Sequence, residues 1–353
     1  MTPAPRIPDP PRSLCLLRLS AIGDVVNIVP LVRTLQRELP ETRLTWIIGR
    51  TEAELVAGLE GVELLVLDKA RTARSLTALW SRLRGRRFDV LLHAQAAWRA
   101  NLVSTAVRAG FRIGYDRPRA KDFQRAFVHG AIHPGPSPHT LDGYFGFSRA
   151  LGIKERHLEW GIPIPEAARL RARSLMVPDR RALVINPCAS AGNRRNWLPE
   201  RYARVADHAA ARHGCQVLFT GGAAPRDHRF IETIRGAMAH PASNLAGRTS
   251  LKEMLALLGE STVLLAPDTG PVHMATAVGT PVIGLYAASD PARSGPYRSR
   301  EWCVDRYPAA SSRGLGRGAA AMRLIDVDSV TARLDRLLAD QAQREAGRPV
   351  RAI

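Results

Sequence analysis

Short apolar runs alternate with stretches of helical spacing along most of this chain. Residues 14–19 (LCLLRL) have the pattern of a buried strand, and residues 25–39 (VVNIVPLVRTLQREL) then carry apolar side chains at helical intervals. Further strands are expected at 44–48, 63–67, 90–93 and 112–115, with a basic helix over 75–83. In the second half, strands are expected at 182–186, 216–220, 262–266 and 281–285. Helices are expected there over 167–175, 197–212 and 251–258, and from residue 274 onward. Alternation of this kind predicts α/β units with parallel sheets covered on both faces. Residues 116–140 are rich in Arg, Pro and His and lack a clear period, so they read as a long functional loop or short helices.

Two strand-to-helix switches stand out against this pattern. Asp268-Thr269-Gly270-Pro271-Val272-His273 follows the apolar run 263–267 and opens a helix. Such a turn presents backbone N–H groups and partial positive charge at the helix N-terminus, which suits a phosphate. The plain alternative is an ordinary turn with Asp268 or Thr269 as the N-cap. Near the start of the chain, Ser20-Ala21-Ile22-Gly23-Asp24 joins the first strand to the first helix. Asp24 is therefore either a functional carboxylate at the carboxyl end of a parallel strand, where ligands bind, or an N-cap with Gly23 as a turn residue. One such site in each half favours two domains facing across a cleft. Pro163 and Pro165 mark the linker. The expected organisation is a disordered lead-in over 1–12, Rossmann-like domains over 13–163 and 164–335, and a helix end and tail over 336–353. No tandem repeat is visible.

At these residues the chain resembles the ADP-heptose:lipopolysaccharide heptosyltransferases, glycosyltransferase family nine. Residues 18–26 (RLSAIGDVV) with Pro30 are similar to the opening signature of that family, and residues 268–275 (DTGPVHMA) to its donor-site signature. Between them, residues 186–190 (NPCAS) with 195–202 (RNWLPERY) match a third block, and residues 245–251 (LAGRTSL) a fourth. The pattern continues through 279–283, 289–291 and 295–296, so the ordered blocks cover roughly residues 13–335, which makes the match far more specific than any single block. Residues 114–122 (GYDRPRAKD) resemble the acceptor-side segment of heptosyltransferase I, and with 93–95 and 139–143 they look closest to a branch that uses a single phosphorylated Kdo.

The resemblance implies a GT-B architecture and inverting transfer of heptose from ADP-heptose to an anionic Kdo-lipid A acceptor. It places the catalytic base at Asp24. It implies donor contacts from Ser190, Arg195, Thr269, Gly270 and His273 to the diphosphate or heptose, from Asp268 to a hydroxyl, from Thr249 to adenine, and from Asp227 to ribose. The family has a lysine where this chain has Arg195; arginine keeps the charge but is not a neutral swap, and Arg194 is the neighbouring alternative. Rival readings are transfer of a second heptose or to a protein acceptor, a catalytically silent sugar-nucleotide or polyanion binder, and an epimerase of the same architecture.

Composition adds a partner. The formal net charge is +19, with only four lysines among the 51 basic residues. That charge attracts polyanions, but aromatic residues are 6% and no nucleic-acid recognition motif is visible. A phosphate-bearing acceptor at an anionic membrane surface explains the charge better, with Arg117, Arg119 and Lys121 as acceptor-binding candidates beside Arg112 and Arg125. No apolar run approaches a membrane span, and the Pro-rich N-terminus lacks the apolar core of a signal peptide. The scattered Cys15, Cys188, Cys215 and Cys303 form no CxxC pair. The expectation is a cytoplasmic monomer, peripheral on the inner membrane, without a cofactor or a metal. Asp326-Val327-Asp328 has the form of a metal-binding DxD but precedes an amphipathic helix, which predicts Asp328 as a helix cap.

Overall fold

The computed structural model describes residues 7–68, 72–135, 137–189, 195–316 and 318–346. The chain divides between Pro163 and Ile164 into two compact units.

The first unit runs β1 (Ser13–Leu17), α1 (Ile22–Glu38), β2 (Arg43–Gly49), α2 (Arg50–Val56), β3 (Val62–Leu67), α3 (Thr72–Leu83), β4 (Phe88–His93), α4 (Trp98–Ser104), β5 (Ala109–Gly114), β6 (Gly130–Ala131) and α5 (Thr140–Ala150). Its sheet is parallel throughout, in the order β3-β2-β1-β4-β5-β6. The second unit runs α6 (Glu166–Ser174), β7 (Ala182–Ile185), α7 (Pro199–His213), β8 (Gln216–Phe219), α8 (Pro225–Gly236), β9 (Ser243–Asn244), α9 (Leu251–Glu260), β10 (Val263–Pro267), α10 (Gly270–Val278), β11 (Val282–Tyr286), α11 (Pro291–Ser294), β12 (Val304–Asp305), α12 (Tyr307–Ser312), α13 (Ala319–Met322) and α14 (Val327–Ala346). Its parallel sheet has the order β12-β11-β10-β7-β8-β9.

Numbered within each unit, both sheets have the order 3-2-1-4-5-6, the doubly wound Rossmann arrangement. The first strand of each unit thus lies beside its fourth, and the connections leave in opposite directions there. That switch falls between β1 and β4 in one unit and between β7 and β10 in the other. The strands flanking the second switch are buried at every residue, as are those of β1, which is why they appear in the sequence as unbroken apolar runs.

The start of α14 corrects one sequence expectation. Asp326, not Asp328, is the cap: its carboxylate accepts from the Ser329 N–H at 2.6 Å and the Ser329 hydroxyl at 2.9 Å, and it pairs with Arg306 at 3.1 Å. Partial burial opposes its charge, but these bonds outweigh burial and bring the Asp326 carboxyl down to about 2. Asp326→Ala is expected to cost about 1 kcal/mol of stability at neutral pH, the usual value of an N-cap. Because the folded value is depressed, this contribution is present above the ordinary aspartate range near 4 and is lost as pH falls toward 2. Urea titrations of both proteins at pH 7 and pH 2.5 should therefore show a difference that shrinks at the lower pH.

Candidate functional site

Each switch point carries an arginine–aspartate pair. In the first unit, Arg18 leaves the end of β1, an arginine closing an otherwise apolar run. It is buried, donates to the Ala94 carbonyl beyond β4 at 2.8 Å, and forms an ion pair with Asp24. Asp24 is not the N-cap of α1. Ala21 occupies that place, and Asp24 is three residues into the turn, reaching back to the Ala21 N–H at 3.3 Å. The other Asp24 oxygen accepts from the Tyr144 hydroxyl on α5 at 3.1 Å. About a third of the Asp24 side chain stays exposed, against 11% for Arg18.

Burial pushes the Tyr144 phenol well above its ordinary value. Burial likewise raises the Tyr115 phenol, to about 12, with Arg18 opposing. Both phenols are therefore proton donors at neutral pH: Tyr144 to Asp24, and Tyr115 to the Ala94 carbonyl at 3.0 Å. Gln95, also beyond β4, fixes the β1–α1 turn by accepting from the Leu19 and Ser20 amides at 2.6 and 3.3 Å.

The basic acceptor candidates do not form one group. Arg119 turns inward, bonded to Asp116 at 2.5 Å and to the His133 carbonyl at 3.3 Å, with its guanidinium over the Tyr115 ring. It thereby joins the Asp24 cluster through Tyr115. Arg117 and Lys121 are exposed instead. Residues 116–140 are mostly loop among the described residues, in line with the expected long loop or short helices, with a 3-10 turn, Gln124–Phe127, and the two residues of β6 giving them shape.

In the second unit, Arg195 donates to the Asp268 carbonyl at 3.1 Å and to its carboxylate at 2.9 Å, linking the segments beyond β7 and β10 across the switch. The Ser294 hydroxyl adds a bond to the same carboxylate at 3.1 Å. Thr269 is the N-cap of α10, but its side chain does not cap. Its hydroxyl is buried and has no hydrogen-bond partner among the described residues. Pro271 supplies no N–H, and the Val272 N–H turns back to the Thr269 carbonyl. The donors offered by this turn are therefore the Thr269 and Gly270 amides and the Thr269 hydroxyl. An unmatched hydroxyl beside a helix N-terminus is suited to an anion. His273 is buried within α10.

Asp227 lies in the first turn of α8. Its carboxylate accepts from the Gly222 N–H at 3.1 Å and pairs with Arg226 at 3.3 Å, closing the turn after β8. Thr249 is half-buried beyond β9. The two loops touch at Gly247, which has φ +67° and where a Cβ would come within 2.9 Å of the Ala223 Cα. Only glycine fits both demands. Ser190 and Arg194 lie outside the described residues.

Among the described residues, one group could hold a metal: His208 and His213 of α7 with Asp335 of α14, both rings reaching one carboxylate oxygen at 2.6 Å. α7 runs from the loop beyond β7 back to the start of β8, so this group lies toward the opposite edge of the sheet from Arg195 and Asp268. Sequence reasoning passed over Arg18, Tyr144, Gln95 and Ser294 as functional residues. Arg18 carried a signal, as the lone charge in a buried strand pattern, and Gln95 stood in the 93–95 segment of the family resemblance; Tyr144 and Ser294 carried none.

A family model described as "Glycosyltransferase family 9 (heptosyltransferase)" matches residues 76–314. The "Lipopolysaccharide core heptosyltransferase OpsX" of Haemophilus influenzae is 35% identical, over 90% of this chain and 91% of that protein. This chain belongs to glycosyltransferase family 9. Solved structures agree in fold. The family 9 glycosyl transferase of Veillonella parvula superposes with a TM-score of 0.78, at 20% identity, over 93% of this chain and 97% of that one. The Escherichia coli ADP-heptose lps heptosyltransferase II gives 0.73, at 18% identity, over 94% and 99%. The architecture is GT-B, and the chain is a glycosyltransferase of the heptosyltransferase family.

Proposed function

We propose that this enzyme transfers L-glycero-D-manno-heptose from ADP-heptose to a hydroxyl of a Kdo-lipid A acceptor, with inversion, in assembly of the lipopolysaccharide core. The observation that carries the reading is Asp24, held at the first switch point by Arg18 and Tyr144 with part of its carboxylate open to solvent. The acceptor hydroxyl attacks the anomeric carbon as its proton passes to Asp24. The bond from that carbon to the diphosphate oxygen breaks, and ADP leaves with the electron pair. A single displacement needs only one such base. The buried phenols of Tyr144 and Tyr115 hold their protons and do not compete for the role.

The leaving diphosphate gathers charge as the bond breaks, and preorganised donors lower that cost. The Thr269 hydroxyl, the Thr269 and Gly270 amides and Arg195 are assigned to it, with Ser190 and His273 beside them. Asp268 orients Arg195. Thr249 and Asp227 are assigned to the adenosine, in the loops that meet at Gly247. In the first unit Arg119 takes a phosphate or carboxylate of the acceptor, with Arg117 and Lys121 supplying longer-range attraction. The enzyme is read as a monomer acting at the cytoplasmic surface of an anionic membrane. No helix among the described residues is long and apolar enough to cross one.

The test is mass spectrometry of the purified protein incubated with ADP-heptose and Kdo-lipid A acceptors, with and without phosphate on the Kdo. One added heptose is expected, most on the phosphorylated Kdo, and product formation should continue in EDTA. No product with any of these acceptors from folded protein would overturn the acceptor assignment. Loss in EDTA with recovery on magnesium or manganese would show that a metal, and not Arg195 with the α10 turn, stabilises the leaving group.

A further inference from the structure

The face of the first unit around α4 carries large apolar side chains that the Asp24 cluster does not use. Trp98 is 60% exposed, Leu102 42% and Phe123 83%. Trp98 and Leu102 are four residues apart on α4 and so lie on one side of it. The Phe123 turn is fastened to the start of the same helix. The Trp98 N–H donates to the Asp122 carboxylate at 2.9 Å, and the Asn101 amide to the Asp122 carbonyl at 2.5 Å. The Trp98 ring also meets Phe127 edge-on, with centroids 6.5 Å apart.

This projection is firmly held. Asp122 and Phe123 have φ of 51° and 61°, the left-handed region that few residues other than glycine enter. The next residue, Gln124, is buried. Its amide nitrogen donates to the His93 carbonyl at 2.8 Å, and its amide oxygen accepts from the Tyr115 N–H at 3.1 Å. A turn anchored on β4 and β5 thus holds an aromatic ring out in water.

Cations flank these residues in the sequence. Arg99, Arg117, Lys121 and Arg125 are exposed, and none of their side chains has a hydrogen-bond or ion-pair partner among the described residues. The two acids of the stretch are engaged, Asp122 with the Trp98 N–H and Asp116 with Arg119. Exposed apolar groups clustered within a charged rim mark an interaction surface.

We propose that this face docks the enzyme on an anionic lipid bilayer, with Trp98, Leu102 and Phe123 entering the boundary between headgroups and acyl chains and the four cations meeting anionic headgroups. The inference rests on the proposed membrane-surface reading and adds the face that makes the contact. Aromatic rings settle at that depth, and basic side chains beside them add attraction to anionic lipid. A second copy of the chain fits less well, because pairing this face with itself would bring two cationic rims together.

Sedimentation of the full chain with phosphatidylglycerol-rich vesicles, and with phosphatidylcholine vesicles as control, tests it. Binding to the anionic vesicles alone is expected, weakening as salt rises. The variant Trp98→Gln/Leu102→Gln/Phe123→Asn should bind at least about tenfold more weakly, with an unchanged melting temperature and unchanged transfer to a deacylated, water-soluble acceptor. Asparagine is chosen at position 123 because it tolerates the left-handed backbone. Arg99→Gln/Arg125→Gln, which leaves the apolar groups in place, should also weaken binding. If wild type binds anionic vesicles and both variants bind equally well, the face is wrong and the membrane reading stands. If wild type binds no vesicle, the membrane reading falls with it, while transfer to the soluble acceptor still reports separately on the chemistry. If wild type dimerises and the apolar variant does not, with vesicle binding unaffected, a second copy is the occupant and the proposal is overturned.

Discussion

Asp24→Asn is expected to lower kcat for heptosyl transfer by ~10²–10⁴-fold, the usual worth of a positioned general base. Asparagine keeps the shape of the side chain: its one carbonyl oxygen can still accept from the Ala21 N–H, while its NH2 faces the Tyr144 hydroxyl, which can accept instead of donate, so the β1–α1 turn should persist. What it cannot do is take the acceptor proton. The surroundings of Arg18 set a second, separate consequence. That guanidinium is buried and its ion-pair partner is Asp24, so removing the negative charge leaves a cation poorly compensated. A fully buried pair broken in this way costs about 3–5 kcal/mol; with Asp24 a third exposed, a smaller loss is expected. The melting temperature of Asp24→Asn should therefore fall even though the protein folds, and kinetics must be run well below it. Tyr144→Phe separates the two roles. It removes one hydrogen bond to the carboxylate and leaves the base in place, so a loss of no more than about tenfold is expected. Turnover by Asp24→Asn close to wild type, at a temperature where both are folded, would falsify the base assignment.

The contrast between Asp24 and its partners shows what could be read from the chain. The strands around both switch points were legible because parallel strands buried on both faces appear as unbroken apolar runs. The carboxylates at their ends were legible because a short polar turn separates strand from helix. Their partners were not. Tyr144 reaches Asp24 across 120 residues of sequence, and no local pattern encodes that meeting. α5, which carries Tyr144, was missed as a helix for a related reason. Its sequence TLDGYFGFSRA holds two glycines and three aromatic rings, and residues 141–148 are all buried, so it shows no polar face for periodicity to detect. The edge strands β6, β9 and β12 have two residues each, too short for any repeat. The shared 3-2-1-4-5-6 order of the two units agrees with the two Rossmann-like domains expected from the strand–helix alternation and the family resemblance, although no repeated sequence marks it. The cap of α14 was misplaced by two residues since Asp326 and Asp328 both precede the apolar stripe, and only the Ser329 N–H distinguishes them.

Arg195→Ala is expected to lower kcat/KM for ADP-heptose by ~10–100-fold, as charge-assisted bonds to a phosphate are worth about 1.5–3 kcal/mol. Arg195→Lys should recover part of this, because an ammonium supplies the charge without the planar fork. The more telling measurement concerns Asp268. Its carboxylate holds the Arg195 guanidinium and accepts from Ser294, a positioning role, whereas the repulsion between a carboxylate and phosphate points to a ribose or sugar hydroxyl as its partner. The two roles predict different double-mutant behaviour. If Asp268 acts by orienting Arg195, Asp268→Asn should lower donor kcat/KM in the wild-type background and change little once Arg195 is alanine. If it grips a sugar or ribose hydroxyl directly, the two losses should multiply. Acceptor KM should stay constant across the cycle, since both residues belong to the second unit and the acceptor is assigned to the first. Damage from Arg194→Ala with a silent Arg195→Ala would shift the donor contact by one residue. The ion pair between Arg195 and Asp268 would then be structural, a brace between the segments following β7 and β10, and the diphosphate would rest on the Thr269 hydroxyl, the α10 turn and a neighbouring arginine.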